Sequence, residues 1–188
     1  LVATTDNFGL LGERPSHPDL LDWLAAWFMD NGWSVKKLNT LILTSATYQM
    51  SSTASPAALQ QDANNVLLSR APLRRLEAEP LRDSLLELGG LLDKQVGGFV
   101  WTFENYKLVF NHTSEDATTY ESNRRALYLP VIRNHVYDLF ELFDFPDPGT
   151  VNGNRADSTI APQALYLMNS PLVLRATESM AEALLKEG

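Results

Sequence analysis

The chain contains no cysteine among its 188 residues. This absence excludes disulfides, thiolate metal sites, a cysteine nucleophile and the covalent attachment of c-type haem within the chain. Long apolar runs are missing as well, because no stretch approaches the ~18 residues that a membrane-spanning helix needs. We therefore expect no insertion into a membrane.

Basic residues are scarce: 15 lysines and arginines stand against 23 acidic residues, which gives a net charge of -8. A nucleic-acid interface needs clustered positive charge that neutralises phosphates, so a chain this acidic predicts no nucleic-acid partner. An anionic membrane surface is disfavoured for the same reason.

Histidine is also rare, and His17, His112 and His135 do not pair at the spacing of a metal-binding helix. We therefore expect neither a metal nor another cofactor in this chain. His17 lies where a helix is predicted to begin, which favours a packing role. His135 lies beside arginines and carboxylates, where an imidazole could carry a proton near neutral pH.

The apolar pattern predicts a mainly α fold, a compact multi-helix domain with a minor β element around residues 99–132. Apolar residues recur at helical spacing over three segments, 18–30, 35–47 and 77–92. We expect Leu24, Ile42 and Leu85 to be nearly buried where these helices share their apolar faces. Alternation of apolar and polar residues after Phe99 favours strands, although Pro130 restricts the last of them to an edge.

Short polar motifs predict where helices begin and where loops lie. Ser16 and Ser34 stand in the positions of N-terminal caps, and Ser170 with Pro171 predicts the start of the last helix. Residues 49–65 are small and polar and predict a loop. The chain begins without methionine, so we expect residues 1–188 to be one domain at the C-terminal end of a larger multidomain protein.

Candidate site residues concentrate in the central stretch, residues 124–171, which mixes arginines with carboxylates. The candidates for ligand binding are Arg125, Arg133, His135, Glu141, Asp144, Asp147 and Arg155. One interpretation is a polar pocket, with paired carboxylates for acid/base catalysis or an arginine fork for an anionic ligand. The other, which we favour, is a buried network of ion pairs that fixes an irregular segment to the helices. A G-x-S-x-G nucleophile motif is absent, and the sequence predicts no catalytic residue.

Six blocks of sequence carry a resemblance to a known family. The blocks are D-N-F-G-L-L-G-E-R-P-S-H-P-D-L-L-D-W-L-A (6–25), W-S-V-K-K-L-N-T-L-I-L-T-S-A-T-Y (33–48), R-R-L-E-A-E-P-L-R-D-S-L-L (74–86), R-R-A-L-Y-L-P-V-I-R (124–133), L-F-D-F-P-D-P (142–148) and S-T-I-A-P-Q-A-L-Y-L-M-N-S-P (158–171). In this order they resemble the C-terminal domain of unknown function of planctomycete-type, cytochrome-c-associated exported proteins.

The resemblance implies a context and leaves the reaction open. It implies an exported protein of the periplasm or cell envelope, in which haem would lie only on a separate upstream domain. The implied partners are the upstream domains of the same polypeptide and a polysaccharide. Our leading hypothesis is a non-catalytic accessory or interaction module. The alternative is a hydrolase or lyase that acts on polysaccharide with the carboxylates at 141–147.

Overall fold

The computed structural model describes residues 1–98, 120–133 and 135–187. Over these residues the chain is mainly helical, which confirms the predicted class. Seven α-helices are described: α1 (Pro18–Asp30), α2 (Val35–Leu43), α3 (Pro56–Gln61), α4 (Ala78–Leu88), α5 (Asp138–Leu142), α6 (Ala161–Asn169) and α7 (Pro171–Glu187). None of the helices in these ranges is long and apolar enough to cross a membrane.

The helices fall into two compact units, residues 1–74 with α1 to α3 and residues 75–188 with α4 to α7. The expectation that residues 1–188 form a single domain stays a prediction.

Helix α1 has the predicted bounds, but its cap differs from the prediction. The N-terminal cap is His17, without a side-chain capping hydrogen bond, and Pro18 occupies the first helical position. Ser16 misses the cap by one residue, and its hydroxyl lies 2.9 Å from His17 Nδ1 instead. The helix ends at Asp30, because Gly32 adopts the left-handed conformation with φ +72°.

Helix α2 begins as predicted and ends four residues early. The Ser34 hydroxyl accepts a hydrogen bond from the Lys37 amide at 3.3 Å, which confirms Ser34 as its cap. At the other end, the hydroxyls of Thr44 and Ser45 donate to the carbonyls of Thr40 and Ile42 at 2.8 and 2.7 Å. The Ser45 amide also donates to the Ile42 carbonyl, three residues back, so the last turn tightens and the α-helix ends at Leu43.

The predicted loop over residues 49–65 contains one further helix. Ser55 accepts from the Ala58 amide at 3.1 Å, and Pro56 occupies the first turn of α3. A serine cap followed by proline is a recognised start signal, so this short helix could have been predicted.

Residues 1–74, all of which the structure describes, contain no buried residue. Leu24 is only half-buried and Ile42 is 40% exposed, so the prediction that both are nearly buried is wrong. Helical spacing identified the apolar faces of α1 and α2 but could not show whether anything covers them.

The buried core of the described chain lies within residues 75–188. Helix α4 buries Ala78, Arg82 and Leu86, whereas Leu85 is only half-buried, which corrects the predicted face by one residue. The remaining apolar core residues come from later segments: Ala126, Leu129, Ile132, Leu139, Phe140, Phe143, Val173 and Ala176. The core therefore forms where α4, α5 and α7 meet the irregular segment before α5.

Helices α4 and α7 approach closely at Gly89. A Cβ atom built there would lie 2.9 Å from the Ala176 backbone, and the Ser179 hydroxyl donates to the Gly89 carbonyl at 2.7 Å. Val173 and Ala176 of α7 are buried, but Leu184 is 61% exposed. Only the first half of α7 therefore joins the core.

The predicted minor β element around residues 99–132 is not supported. In its described part, residues 120–132, the chain forms a single bridge between Asp93 and Arg124 and then a short 3-10 turn, Ala126–Tyr128. The Arg82 side chain donates to the carbonyls of Ser122 and Arg124, so these carbonyls do not pair with a strand. The remainder of this prediction, residues 99–119, lies outside the described residues, as does His112.

Candidate functional site

The predicted group of arginines and carboxylates is divided into several separate contacts. Arg155 forms an ion pair with Glu79, with nitrogen–oxygen distances of 2.5 and 2.9 Å, and a second pair with Glu77 at 3.1 Å. Hydrogen bonding to Glu79 raises the pKa of the Arg155 guanidinium above its ordinary value. Arg155 therefore binds the start of α4 and not the predicted carboxylates at 141–147.

Asp144 makes a structural contact with the segment that precedes α6. Its two carboxylate oxygens accept hydrogen bonds from the Ser158 amide and hydroxyl, each at 2.8 Å. Asp144 itself has a φ of +61°, a left-handed conformation that aspartate tolerates better than most residues. The carboxylate therefore joins the two ends of the intervening loop, residues 145–157.

The other predicted site residues lie apart from these contacts. Asp147 is exposed and accepts from the Gly149 amide at 2.7 Å, as is usual in a tight turn. Glu141 and Arg133 are exposed. Arg125 is half-buried, as is His135, whose backbone carbonyl accepts from the Tyr120 hydroxyl at 2.5 Å. The prediction that Arg125, Arg133 and Arg155 would all be buried in one network is wrong.

The buried arginines are Arg82, which was not predicted from the sequence, and Arg124, the first residue of the central stretch that mixes arginines with carboxylates. Arg82, on α4, is 1% exposed and donates to the Arg124 carbonyl at 2.7 Å and to the Ser122 carbonyl. Arg124 is 8% exposed, donates to the Gln95 carbonyl at 2.9 Å and stacks on the Tyr128 ring at 4.3 Å. Both side chains satisfy backbone carbonyls of irregular segments, which is a structural role.

A second missed residue, Gln163, organises the start of α6. Its amide is buried, donates to the Leu142 carbonyl at 2.8 Å and accepts from the Ile160 amide at 3.2 Å. The Gln163 amide oxygen also accepts from Arg75 at 2.8 Å. Arg75 donates further to the Ser158 carbonyl and, at 3.2 Å, to the Thr159 hydroxyl. Gln163 lies three residues after the cap, as in a capping box, but the cap residue is Ile160 and not Ser or Thr, so the sequence carried no complete signal.

A groove of about 260 Å³ lies beside Arg75 and Gln163. Its walls are mainly apolar, and its lining residues are Arg75, Leu76, Leu81, Phe143, Thr159, Ile160, Gln163, Ala164 and Leu167. Residues 1–74 carry another groove, of about 450 Å³, lined by Trp27, Lys36, Lys37, Thr40, Leu41 and Thr44. None of the predicted site residues lines either groove.

Tyr166 is the titratable group that departs furthest from its ordinary behaviour among the described residues. Burial raises the pKa of its hydroxyl above the usual value of 10.0. Its ring packs against the core residue Phe143 at 6.2 Å, so the side chain is best described as part of the core. In the described ranges no cluster of three or more histidine, aspartate or glutamate side chains could hold a metal ion.

A comparison with protein families matches the whole chain, residues 1–188, to PSD1, Protein of unknown function (DUF1553). The chain belongs to this family. Searches of curated proteins and of solved structures returned no match.

Membership in PSD1 and the resemblance agree that the chain is a domain of unknown function. The finer statements, a planctomycete-type protein and an association with cytochrome c, remain expectations. Because the family has no described activity, any function must be argued from the geometry of this chain.

Proposed function

We propose that the chain is a non-catalytic interaction module, and that residues 1–74 bind the surface of another protein domain. The observation that supports this is the absence of any buried residue from 1 to 74, a segment that carries large apolar side chains. Trp23 and Trp33 are 52% and 65% exposed, and Phe8 is 80% exposed. Exposure of several large aromatic side chains within one segment favours an interaction surface.

The groove on residues 1–74 indicates the chemistry of the partner. Lys36 and Lys37 lie beside Trp27 and Leu41 in its lining. A lining that combines apolar side chains with two lysines favours an apolar segment flanked by carboxylates, because charge complementarity sets the orientation of the partner. Tryptophans are enriched among residues that dominate binding energy.

The resemblance supplies the source of that partner, a preceding domain of the same polypeptide. The same proposal places the chain in an exported protein of the periplasm or cell envelope that is linked to polysaccharide degradation. Haem would lie only on a separate upstream domain, since no cysteine is present here to attach it.

Hydrogen exchange tests this proposal with two proteins, the 188-residue chain alone and the same chain joined to its preceding domains. We expect amides of α1 and α2 to exchange at least about tenfold more slowly in the longer protein, because the partner covers them. Trp23→Lys and Trp33→Lys should each reduce that protection. Leu174→Lys, on the exposed side of α7, is the matched control and should leave it unchanged. Equal exchange in both proteins would overturn the proposal.

The enzyme alternative, a polysaccharide hydrolase or lyase, has less support. Asp144 already accepts two hydrogen bonds from Ser158, and Asp147 closes a turn, so both carboxylates have structural roles. Asp144→Asn should therefore lower the melting temperature without changing polysaccharide binding. An unchanged melting temperature together with lost polysaccharide binding or turnover would favour the enzyme.

A further inference from the structure

The groove beside Arg75 has the size of a site for one small apolar body. Its volume is about 260 Å³. An apolar cavity of roughly 150 Å³ already accommodates benzene, whereas sites for drug-sized molecules occupy roughly 300–1,000 Å³. The groove therefore has room for a single aromatic ring or a short alkyl chain with one polar group.

Arg75 supplies a positive charge at this groove without a carboxylate partner. Its three acceptors are neutral: the Ser158 carbonyl, the Gln163 amide oxygen and the Thr159 hydroxyl. No aspartate or glutamate among the described residues lies within ion-pair distance of it.

The hydrogen bonds of Arg75 leave donors available on the guanidinium. A guanidinium has five N–H donors, and the two bonds from Nη1 and one from Nη2 use three of them. The Nε–H and one Nη2–H remain. Arginine commonly binds carboxylates through two such parallel donors, and this charge-assisted pair is stronger than a neutral hydrogen bond.

The arginine is also held in place before any ligand binds. Gln163, which accepts from Arg75, is buried and is itself fixed by the Leu142 carbonyl and the Ile160 amide. A guanidinium positioned in this way loses little conformational entropy when it binds an anion, which favours affinity.

We propose that this groove binds a small monocarboxylic acid whose apolar body is an aromatic ring or a short alkyl chain. The carboxylate pairs with Arg75, and the apolar body packs against Leu81, Phe143 and Ile160. All of these residues belong to residues 75–188, so the site does not depend on the interaction surface of residues 1–74.

Phenylacetate is a suitable probe, measured by NMR titration or calorimetry on the 188-residue chain. Phenylacetamide has the same shape without the charge, and phenethylamine reverses the charge. We expect phenylacetate to bind at least about tenfold more tightly than either, a difference that corresponds to roughly 1.4 kcal/mol. Equal binding of phenylacetate and phenylacetamide, or no binding of phenylacetate at millimolar concentration, would overturn the proposal.

Two variants separate the charge from the cavity. Arg75→Gln should remove the preference for the acid over the amide, with Arg133→Gln as the charge-matched control outside the groove. Ala164→Phe should fill the groove and abolish binding of all three probes, while the hydrogen bonds of Arg75 stay intact. This variant therefore tests the groove even if Arg75→Gln disrupts the local structure. Leu165→Phe, on the same helix but outside the lining, should bind as the parent does. Undiminished binding by Ala164→Phe would contradict the assignment.

Discussion

Arg82 shows how one buried charge can hold an irregular segment of backbone. Its guanidinium donates to the carbonyls of Ser122 and Arg124, while Asp83 accepts from Arg82 at 3.2 Å and from the Ala126 amide at 2.8 Å. These two neighbouring residues on α4 therefore satisfy both donors and acceptors in the segment that follows residue 120. Side chains of a helix thus satisfy backbone groups that a neighbouring strand satisfies in a sheet.

Replacing Arg82 by alanine should destabilise the protein strongly. The variant leaves the buried Arg124 carbonyl and the partly buried Ser122 carbonyl without these donors, so we expect the free energy of unfolding to fall by about 2–5 kcal/mol. Urea denaturation of Arg82→Ala beside Arg133→Ala measures this. The exposed Arg133 should change stability by less than about 0.5 kcal/mol, and similar losses for both variants would contradict the structural role.

Tyr166 predicts a limit to stability at high pH. Burial raises the pKa of its hydroxyl in the folded state, so the unfolded state loses this proton first as pH rises above the ordinary value of 10.0. The unfolded state then binds fewer protons than the folded state, and stability falls with increasing pH. Below pH 10 this contribution is fully present.

Unfolding free energies measured from pH 8 to pH 11.5 test this prediction in the parent and in Tyr166→Phe. The variant should show a shallower decline above pH 10, because phenylalanine has no proton to lose. An identical decline of the unfolding free energy with pH in the two proteins would mean that Tyr166 does not cause the loss of stability above pH 10.

The sequence predicted some residue roles and could not have predicted others. Ser34 was identifiable as a cap because its partner lies only three residues away. Arg82 was not identifiable, since its partners lie 40 and 42 residues further along the chain and nothing in a local pattern reveals them. Arg155 was recognised as an ion-pair former, but its partner Glu79 is 76 residues away and was not selected.

At the scale of elements, α4 is the helix whose exact face decides the core. Leu86 is fully buried whereas Leu88 is 65% exposed, although both are leucines on one helix. Leu86→Ala should lower the free energy of unfolding by about 2–5 kcal/mol, as deletion of a buried leucine side chain usually does. Leu88→Ala is the matched control and should change it by less than about 0.5 kcal/mol. Thermal or urea unfolding measures both losses. A larger loss for Leu86→Ala shows that the face of α4 with Leu86, and not the predicted face with Leu85, packs into the core.

Helix positions were predictable from local chemistry, and their ends and faces were less so. Proline and serine start signals located α1, α2 and α7 within a residue. The end of α2 was missed because the Ser45 amide donates to the Ile42 carbonyl three residues back, a tightening of the last turn that helical spacing does not reveal. The prediction of a β element is not supported for a similar reason. Apolar alternation cannot show that the buried Arg82 donates hydrogen bonds to the carbonyls of Ser122 and Arg124.

At the scale of the whole molecule, burial is distributed unevenly along the chain. Every buried residue that the structure describes lies in residues 75–188. Amphipathic spacing alone predicted similar burial for α1, α2 and α4, because the pattern reports an apolar face and not what covers it. The sequence therefore did not predict that the buried residues of the described chain lie in residues 75–188.

Hydrogen exchange on the 188-residue chain should reflect that distribution. We expect amides of α4 and of the first half of α7 to exchange only through large-scale unfolding, and amides of α1 and α2 to exchange at least about tenfold faster through local opening. Mass spectrometry of peptides from the two units measures the rates. Uniform protection across both units would show that burial does not set local stability here.

The contact between Asp144 and Ser158 has a consequence for tolerance to added sequence. It joins the ends of a surface loop, residues 145–157, and Arg155 fastens that loop to α4 near one end. Because the ends are closed by side chains, lengthening the tip adds only the slowly growing entropy of a longer loop, about 0.6 kcal/mol per doubling. Val151 at the tip is 86% exposed. A peptide epitope inserted after Val151 should therefore be displayed on a folded protein, whereas the same epitope in an Asp144→Ala background should lower the melting temperature further.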